Sequence, residues 1–208
     1  MDKKIILLGY SGHAYSIIDA VYSCNNQIIG YCEPKEQQDN PFEIKYLGRE
    51  TQLELDQNKA NTFIFPSVGD ATLRAKLIEH IEKIQGKQLS IYHQNAHISK
   101  YAQIALSVFV SNGATINALA KIGKGTIINT GAIIEHECDI QENCHVGPGA
   151  TLAGNVKLGK NTFIGANATV IQGISIGSNV TIGAGAVVIH DVPDNATYVG
   201  NPARKLEK

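Results

Sequence analysis

The chain has 208 residues, enough for one large domain or two small ones, and an apolar fraction of 43% permits a real core. A net charge of −1 gives no electrostatic footprint for nucleic acid or for an acidic membrane surface, so neither is expected as a partner. Four Cys without CxxC spacing argue against a disulfide framework, and with no long apolar run or leader-type segment the expectation is a cytoplasmic protein.

In chain order, Ile5 to Leu8 form a continuous apolar run suited to a buried parallel strand. A Gly-containing turn follows, then helical spacing at Ala14, Ile17, Ile18 and Val21. "QIIGYCEP" and "NTFIFPSVG" read as a second and a third strand. "DATLRAKLIEHIEKIQG" reads as a helix with Asp70 at the N-cap, Leu73, Leu77, Ile81 and Ile84 inward, and Gly86 closing it. "KQLSIYH" is a fourth strand leading into the solenoid. The alternation implies a small doubly wound sheet. Within it, Gly9-Tyr10-Ser11-Gly12-His13-Ala14 has the first glycines of a phosphate-binding turn, and Glu33 ends the second strand where an acid meets a ribose hydroxyl. A purely structural strand–turn–helix has the same look. An NAD dehydrogenase is disfavoured, because the second mononucleotide-binding half is missing.

From Ile98 to Val188 every sixth residue is aliphatic, sixteen positions in all, and the residue four further on in each hexad is small or β-branched. A helix of period 3.6 cannot produce two columns locked to period six; a parallel β-helix of hexapeptides can. Three hexads make one triangular coil. The period runs unbroken, so no long loop is present to act as a lid. The tail "DVPDNATYVGNPARKLEK" is expected to leave the repeat.

"IEHECDIQENCH", residues 134–145, is the densest run of ligand-type side chains. The register separates them. Cys138 and Cys144 fall in the small interior column and read as buried, inert stand-ins for Ala or Val. His136 and His145 lie outside both columns and face outward. One outward His reads as a surface residue; two in one rung with flanking acids favour function. One coil above His136 stands Gly154 and one below stands Ala118, which leaves room for a substrate group and a backbone N–H for an oxyanion. Alternatively, Gly154 serves the turn.

The repeat, with "GYSGHA", "NTGAIIEHECDI", "HVGPGATLAGNVKLG" and "VGNPAR", resembles the hexapeptide-repeat sugar O- and N-acyltransferases of the sialic acid and bacillosamine type, closest to the UDP-4-amino-sugar N-acetyltransferases. The resemblance covers essentially the full chain. It implies an α/β Rossmann-like domain over 1–92 that binds a nucleotide sugar, and a left-handed parallel β-helix with a C-terminal tail over 93–208. It implies a homotrimer, acetyl-CoA as cosubstrate and no metal. His136 would be the general base and Glu137 would raise its basicity, provided Glu137 lies at a corner of the coil. Ser11, Gly12, His13, Glu33 and Asn129 would bind the nucleotide sugar. His145, Gly154, Ala166, Ala184, Arg204 and Lys205 would bind acetyl-CoA, although a solvated charge pair describes Arg204 and Lys205 equally well. Pro34 stands where the family has a second acid, and Asp70-Ala71 replaces an amide-rich pair. Three alternatives stay open: a sialic acid O-acetyltransferase, a metal-dependent trimer of the carbonic-anhydrase type with His136 and His145 as ligands, and a non-catalytic nucleotide-sugar sensor.

Overall fold

The computed structural model describes residues 2–53 and 61–207. The N-terminal part is a three-stranded parallel sheet of β1 (Lys4–Leu8), β2 (Gln27–Cys32) and β3 (Thr62–Pro66), in the order β2-β1-β3, with α1 (Gly12–Ser23) and α2 (Ala71–Lys83). Leu8 pairs with both Cys32 and Pro66, so the three strands end together and send Gly9, Glu33 and Ser67 out along one edge. Such an edge is where open α/β sheets bind ligands. The fourth expected strand leads into the solenoid and pairs there rather than in the sheet. Gln88 makes only one bridge to the sheet, with Ile64, while Ile91–Tyr92 pairs with Phe109–Val110 as the first rung.

From there the chain winds as a left-handed parallel β-helix with three faces. The first face carries Ile91–Tyr92, Ile127–Ile128, His145–Val146 and Phe163–Ile164. The second carries Thr115–Ile116, Ile133–Ile134 and Thr151–Leu152, and the third Lys121–Ile122, Asp139–Ile140 and Lys157–Leu158. Both hexad columns point into the prism: Ile134, Ile140, Val146, Cys138 and Cys144 are all enclosed.

A third column appears at the corners. Gly113, Gly125, Gly131, Asn143, Gly149, Asn155, Asn161 and Asn167 all have positive φ. Gly and Asn tolerate the left-handed region, which lets each corner turn within two residues.

The first face is roofed by the sheet domain. Phe109 and Ile127 share one core with Ile5, Leu7, Tyr10, Ile17 and Ile91. The second helix differs from expectation by one residue: Leu73 is 46% exposed, and Arg74 is 1% exposed in its place. The reason is that α2 packs on the solenoid as well as the sheet. Its Arg74 and Ile78 reach the corner at Gly125. Asp70 caps α2 as expected, accepting from the Leu73 N–H at 2.7 Å. At the other end Gln85 takes the left-handed conformation, and Gly86 is needed for space, since a Cβ there would press on Ile64 and Ile81.

The tail also differs. It does not leave the repeat but completes another turn of the prism. Val192 bridges Ile176, Tyr198 pairs with Ile182, and the chain then folds back so that Arg204–Lys205 run antiparallel to Tyr198–Val199. Each of those pairings spans two residues fewer than the pairings below it, so the sixfold spacing is lost although the coil continues.

Candidate active site

His136 and Glu137 form the corner between the second and third faces. Glu137 has φ 61, in the column that elsewhere is mostly Gly or Asn. A carboxylate residue in that conformation costs about 1 kcal/mol. The turn aims it back at its neighbour: Glu137 Oε2 lies 3.0 Å from His136 Nδ1. Adjacent strand residues could not meet in this way; a corner allows it. Both side chains remain open, at 52% and 58% exposure. With its Nδ1 proton donated to Glu137, the ring presents the Nε2 lone pair outward. Gly154, one coil above, supplies the space, since a Cβ there would stand 2.6 Å from Cε1 and 2.7 Å from Nε2 of His136. The room expected above His136 for a substrate group is therefore filled by the ring itself.

The two cysteines are enclosed thiols that donate to backbone carbonyls, Cys138 to Ala153 at 3.2 Å and Cys144 to Gly159 at 3.1 Å. Burial pushes Cys138 up and Cys144 up to about 12, so both stay protonated. Among the described residues, no group of three or more His, Cys, Asp or Glu is arranged to hold a metal ion.

His145 does not join His136. It sits on the first face, and the corner of His136 is the one opposite that face. Its neighbours come from the sheet domain and from its own face of the solenoid. The His13 ring is 5.9 Å away, with Phe163 5.2 Å off on the other side, and Asn129 Nδ2 lies 3.2 Å from His145 Nε2. Burial, with the nearby Arg74 cation, lowers His145 to about 4. Burial, His145 and Arg74 do the same to His13, whose Nε2 is enclosed without a protein partner. Both rings are neutral at working pH.

The turn at residues 9–12 is open on its outer side. Gly9 has φ 107 and abuts Val68. Ser11 is the N-cap residue of α1, but its hydroxyl makes no capping bond. A Cβ on Gly12 would meet nothing within 4 Å. Glu33 turns its carboxylate into this loop and accepts the Tyr10 N–H at 2.7 Å. Beside it, Leu8, Cys32, Pro34, Glu50, Val68, Leu73 and Leu77 line a crevice. The exposure of Leu73 thus serves a wall of that crevice. Asp70 is occupied by its cap.

Ser11, Gly12, His13, Asn129 and His145 are thus assembled on one side of the molecule, and His136, Glu137 and Gly154 on another. Ala166 and Ala184 belong to neither group. They lie on the corner between the first and second faces, one above the other, with the Gly185 N–H bonded to the Ala166 carbonyl at 2.8 Å. Beside them Gly147, Gly165 and Gly183 stack above Asn129, each too close to the next rung for a side chain. The result is a smooth track that rises from Asn129 to the strand Tyr198–Val199. Arg204 and Lys205 stand beyond its upper end, around a groove shared with His190 and Asp191. Arg74, which lies off the apolar stripe expected of this helix, is a buried group that sequence reasoning missed. Its signal was weak: an Arg one position off an apolar stripe.

A left-handed β-helix with an exposed His–Glu pair on its wall and a small α/β domain roofing one face defines a hexapeptide-repeat acyltransferase. Sequence models agree. Residues 4–81 match the PglD N-terminal domain, 119–154 the bacterial transferase hexapeptide (six repeats), and 155–189 the hexapeptide repeat of succinyl-transferase. The chain belongs to the acetyl-CoA-dependent sugar N-acetyltransferases of that family. It is 30% identical to a mutant of perosamine N-acetyltransferase from Caulobacter crescentus solved with CoA and GDP-perosamine, with a TM-score of 0.93 over 99% of this chain and 97% of that one. It is 28% identical to the acetyltransferase domain of PglB from Neisseria gonorrhoeae in complex with acetyl coenzyme A, with a TM-score of 0.91 over 99% and 100%. WeeI from Acinetobacter baumannii, at 23% identity and TM-score 0.88 over 98% and 100%, shares the fold. No match was found among curated protein sequences.

Proposed function

We propose that the protein transfers the acetyl group of acetyl-CoA to the 4-amino group of a UDP-linked amino sugar, with His136 as general base. The observation that carries this reading is the His136–Glu137 pair seated on Gly154. The amine nitrogen attacks the thioester carbonyl carbon. A C–N bond forms, the C–S bond breaks, and the CoA thiolate leaves. His136 Nε2 takes the proton from nitrogen and returns it to the departing sulfur, while Glu137 holds the ring and stabilises its charged form.

The nucleotide half of the site is the Gly9–Gly12 turn with Ser11, Gly12, His13 and Glu33. Open N–H groups at the start of α1 suit a diphosphate, and the adjoining crevice suits a base. Asn129 and neutral His145 suit the sugar and the acetyl group, as hydrogen-bonding partners that carry no charge. The track past Ala166 and Ala184 suits an extended pantetheine chain, with Arg204 and Lys205 toward the CoA phosphates.

His136 faces away from this assembly within one chain. A homotrimer resolves the separation: the His136 corner of one subunit is set against the partner subunit's His145 and Asn129, and Gly154 closes the channel from the other wall. The setting we propose is the cytoplasm, in the biosynthesis of bacterial surface glycans or glycoproteins. Among the described residues no helix is long and apolar enough to cross a membrane.

The GDP-perosamine complex of the 30%-identical relative favours a second reading in which the nucleotide is GDP. The test offers acetyl-CoA with UDP-, GDP- and CMP-linked 4-amino sugars and follows thiol release and the N-acetyl product. Highest kcat/KM for a UDP-4-amino sugar supports the proposal; preference for GDP replaces the nucleotide; release of CoA only with hydroxyl acceptors overturns N-acetylation.

A further inference from the structure

Among the described residues Arg74 is the one buried Arg or Lys, and it has no carboxylate partner in its bonds. All its hydrogen bonds end on backbone carbonyls. Nη1 donates to Val68 and Gly69, at 3.3 and 2.7 Å, in the loop that leaves β3. Nε donates to Gly125, and Nη2 to Asn143 and Cys144 at 2.8 and 3.3 Å, at the same corner of the solenoid in two successive coils. One planar fork thus fastens the sheet domain to the prism. The Gly69 carbonyl that Arg74 holds belongs to the loop against His13, where a Cβ on Gly69 would stand 3.9 Å from the His13 Cβ, and the His13 ring lies 5.9 Å from that of His145.

We infer that Arg74 is a positioning residue for the acetyl transfer: it registers the nucleotide-binding turn and His13 against Asn129 and His145. The inference rests on the reading that those residues hold the nucleotide sugar. Burial of the guanidinium against carbonyls leaves its charge facing His13 and His145, which agrees with both rings being held neutral. The acid that bears on it is the exposed Asp70 cap, and Cys144 is an enclosed thiol. Lysine cannot replace the fork, because an ammonium has three donors from one point and the five carbonyls lie around a plane. Misregistration of two half-sites should lower the rate of transfer without removing either binding surface.

The experiment compares wild type, Arg74→Lys and Arg74→Met, and records the ¹⁵Nε–¹H signal of Arg74 in the wild type. Expected are kcat values down about 100-fold in both variants, with KM for acetyl-CoA and for the nucleotide sugar within about threefold, and no rescue by lysine. Expected in the wild type is an Arg74 Nε–H protected from solvent exchange, as its bond to the Gly125 carbonyl requires. A folded variant with wild-type kcat, or rescue by lysine, overturns the inference. So does a wild-type Arg74 Nε–H that exchanges as freely as that of an exposed arginine, a result that decides the matter even where neither variant folds. Inactivity of the wild type on every amino sugar would instead count against the functional reading, and the exchange measurement stands apart from it.

Discussion

The imidazole of His136 packs against Gly154 so closely that a Cβ at 154 would stand 2.6 Å from Cε1 and 2.7 Å from Nε2. Gly154 lies outside the left-handed column, so alanine there is compatible with the backbone. Gly154→Ala should therefore keep the coil and push the ring off Glu137. We expect kcat to fall roughly 10²-fold, as for an ångström-scale displacement, with an unchanged melting profile. Wild-type kcat in this variant would show that the fit has no catalytic meaning.

Gly12→Val is expected to act on the other half of the site. A Cβ at Gly12 meets nothing, so the variant should fold normally. A valine side chain would occupy the space in front of the first turn of α1, where a phosphate approaches. KM for the nucleotide sugar should rise at least 10-fold, and KM for acetyl-CoA should not move. Steady-state kinetics with each substrate varied in turn decide this.

The solenoid was legible because its period is covalent: every rung repeats the same two inward positions, and Ile134 and Cys138 announced their own burial. Glu137 was legible only as a condition, that it occupy a corner, and the corner column of Gly and Asn that would have shown it went unread. Three features were hidden for physical reasons. His136 and His145 are nine positions apart in "IEHECDIQENCH", half a coil, and half a coil carries a residue to the opposite side of a triangle. The tail continues the prism with a shortened turn, so Val192 and Tyr198 fall out of the sixfold register. Arg74 gains three of its five partners only when two domains meet, and carbonyl partners leave no trace in side-chain identity.

Cys138→Ala and Cys144→Ala should retain wild-type kcat, since both thiols are enclosed and only donate to carbonyls. Each loses a small volume and one weak hydrogen bond, so stability should fall by roughly 1 kcal/mol. Denaturant midpoints and turnover check this. Loss of turnover in a folded variant would restore a chemical role for the thiols.

His13 and His145 make the domain junction sensitive to acid. Both are held near 4 in the folded protein, below the ordinary 6.5. The unfolded chain therefore binds more protons between those values, and stability falls as pH drops from 6.5 toward 4. At pH 5 each ring should cost roughly 2 kcal/mol relative to pH 8. Urea midpoints across that range should decline, and His13→Gln should flatten the slope by about half. An identical slope in the variant would mean that the ring is not buried neutral.

The central claim is that His136 is the base. The most direct measurement is kcat of His136→Ala at saturating acetyl-CoA and amino sugar, beside a calorimetric Kd for acetyl-CoA. The ring lies at the surface, bonded only to Glu137, so the fold should survive. The account predicts a fall in kcat of roughly 10²–10⁴-fold with acetyl-CoA affinity within about twofold of wild type. A folded His136→Ala variant with wild-type kcat would contradict it.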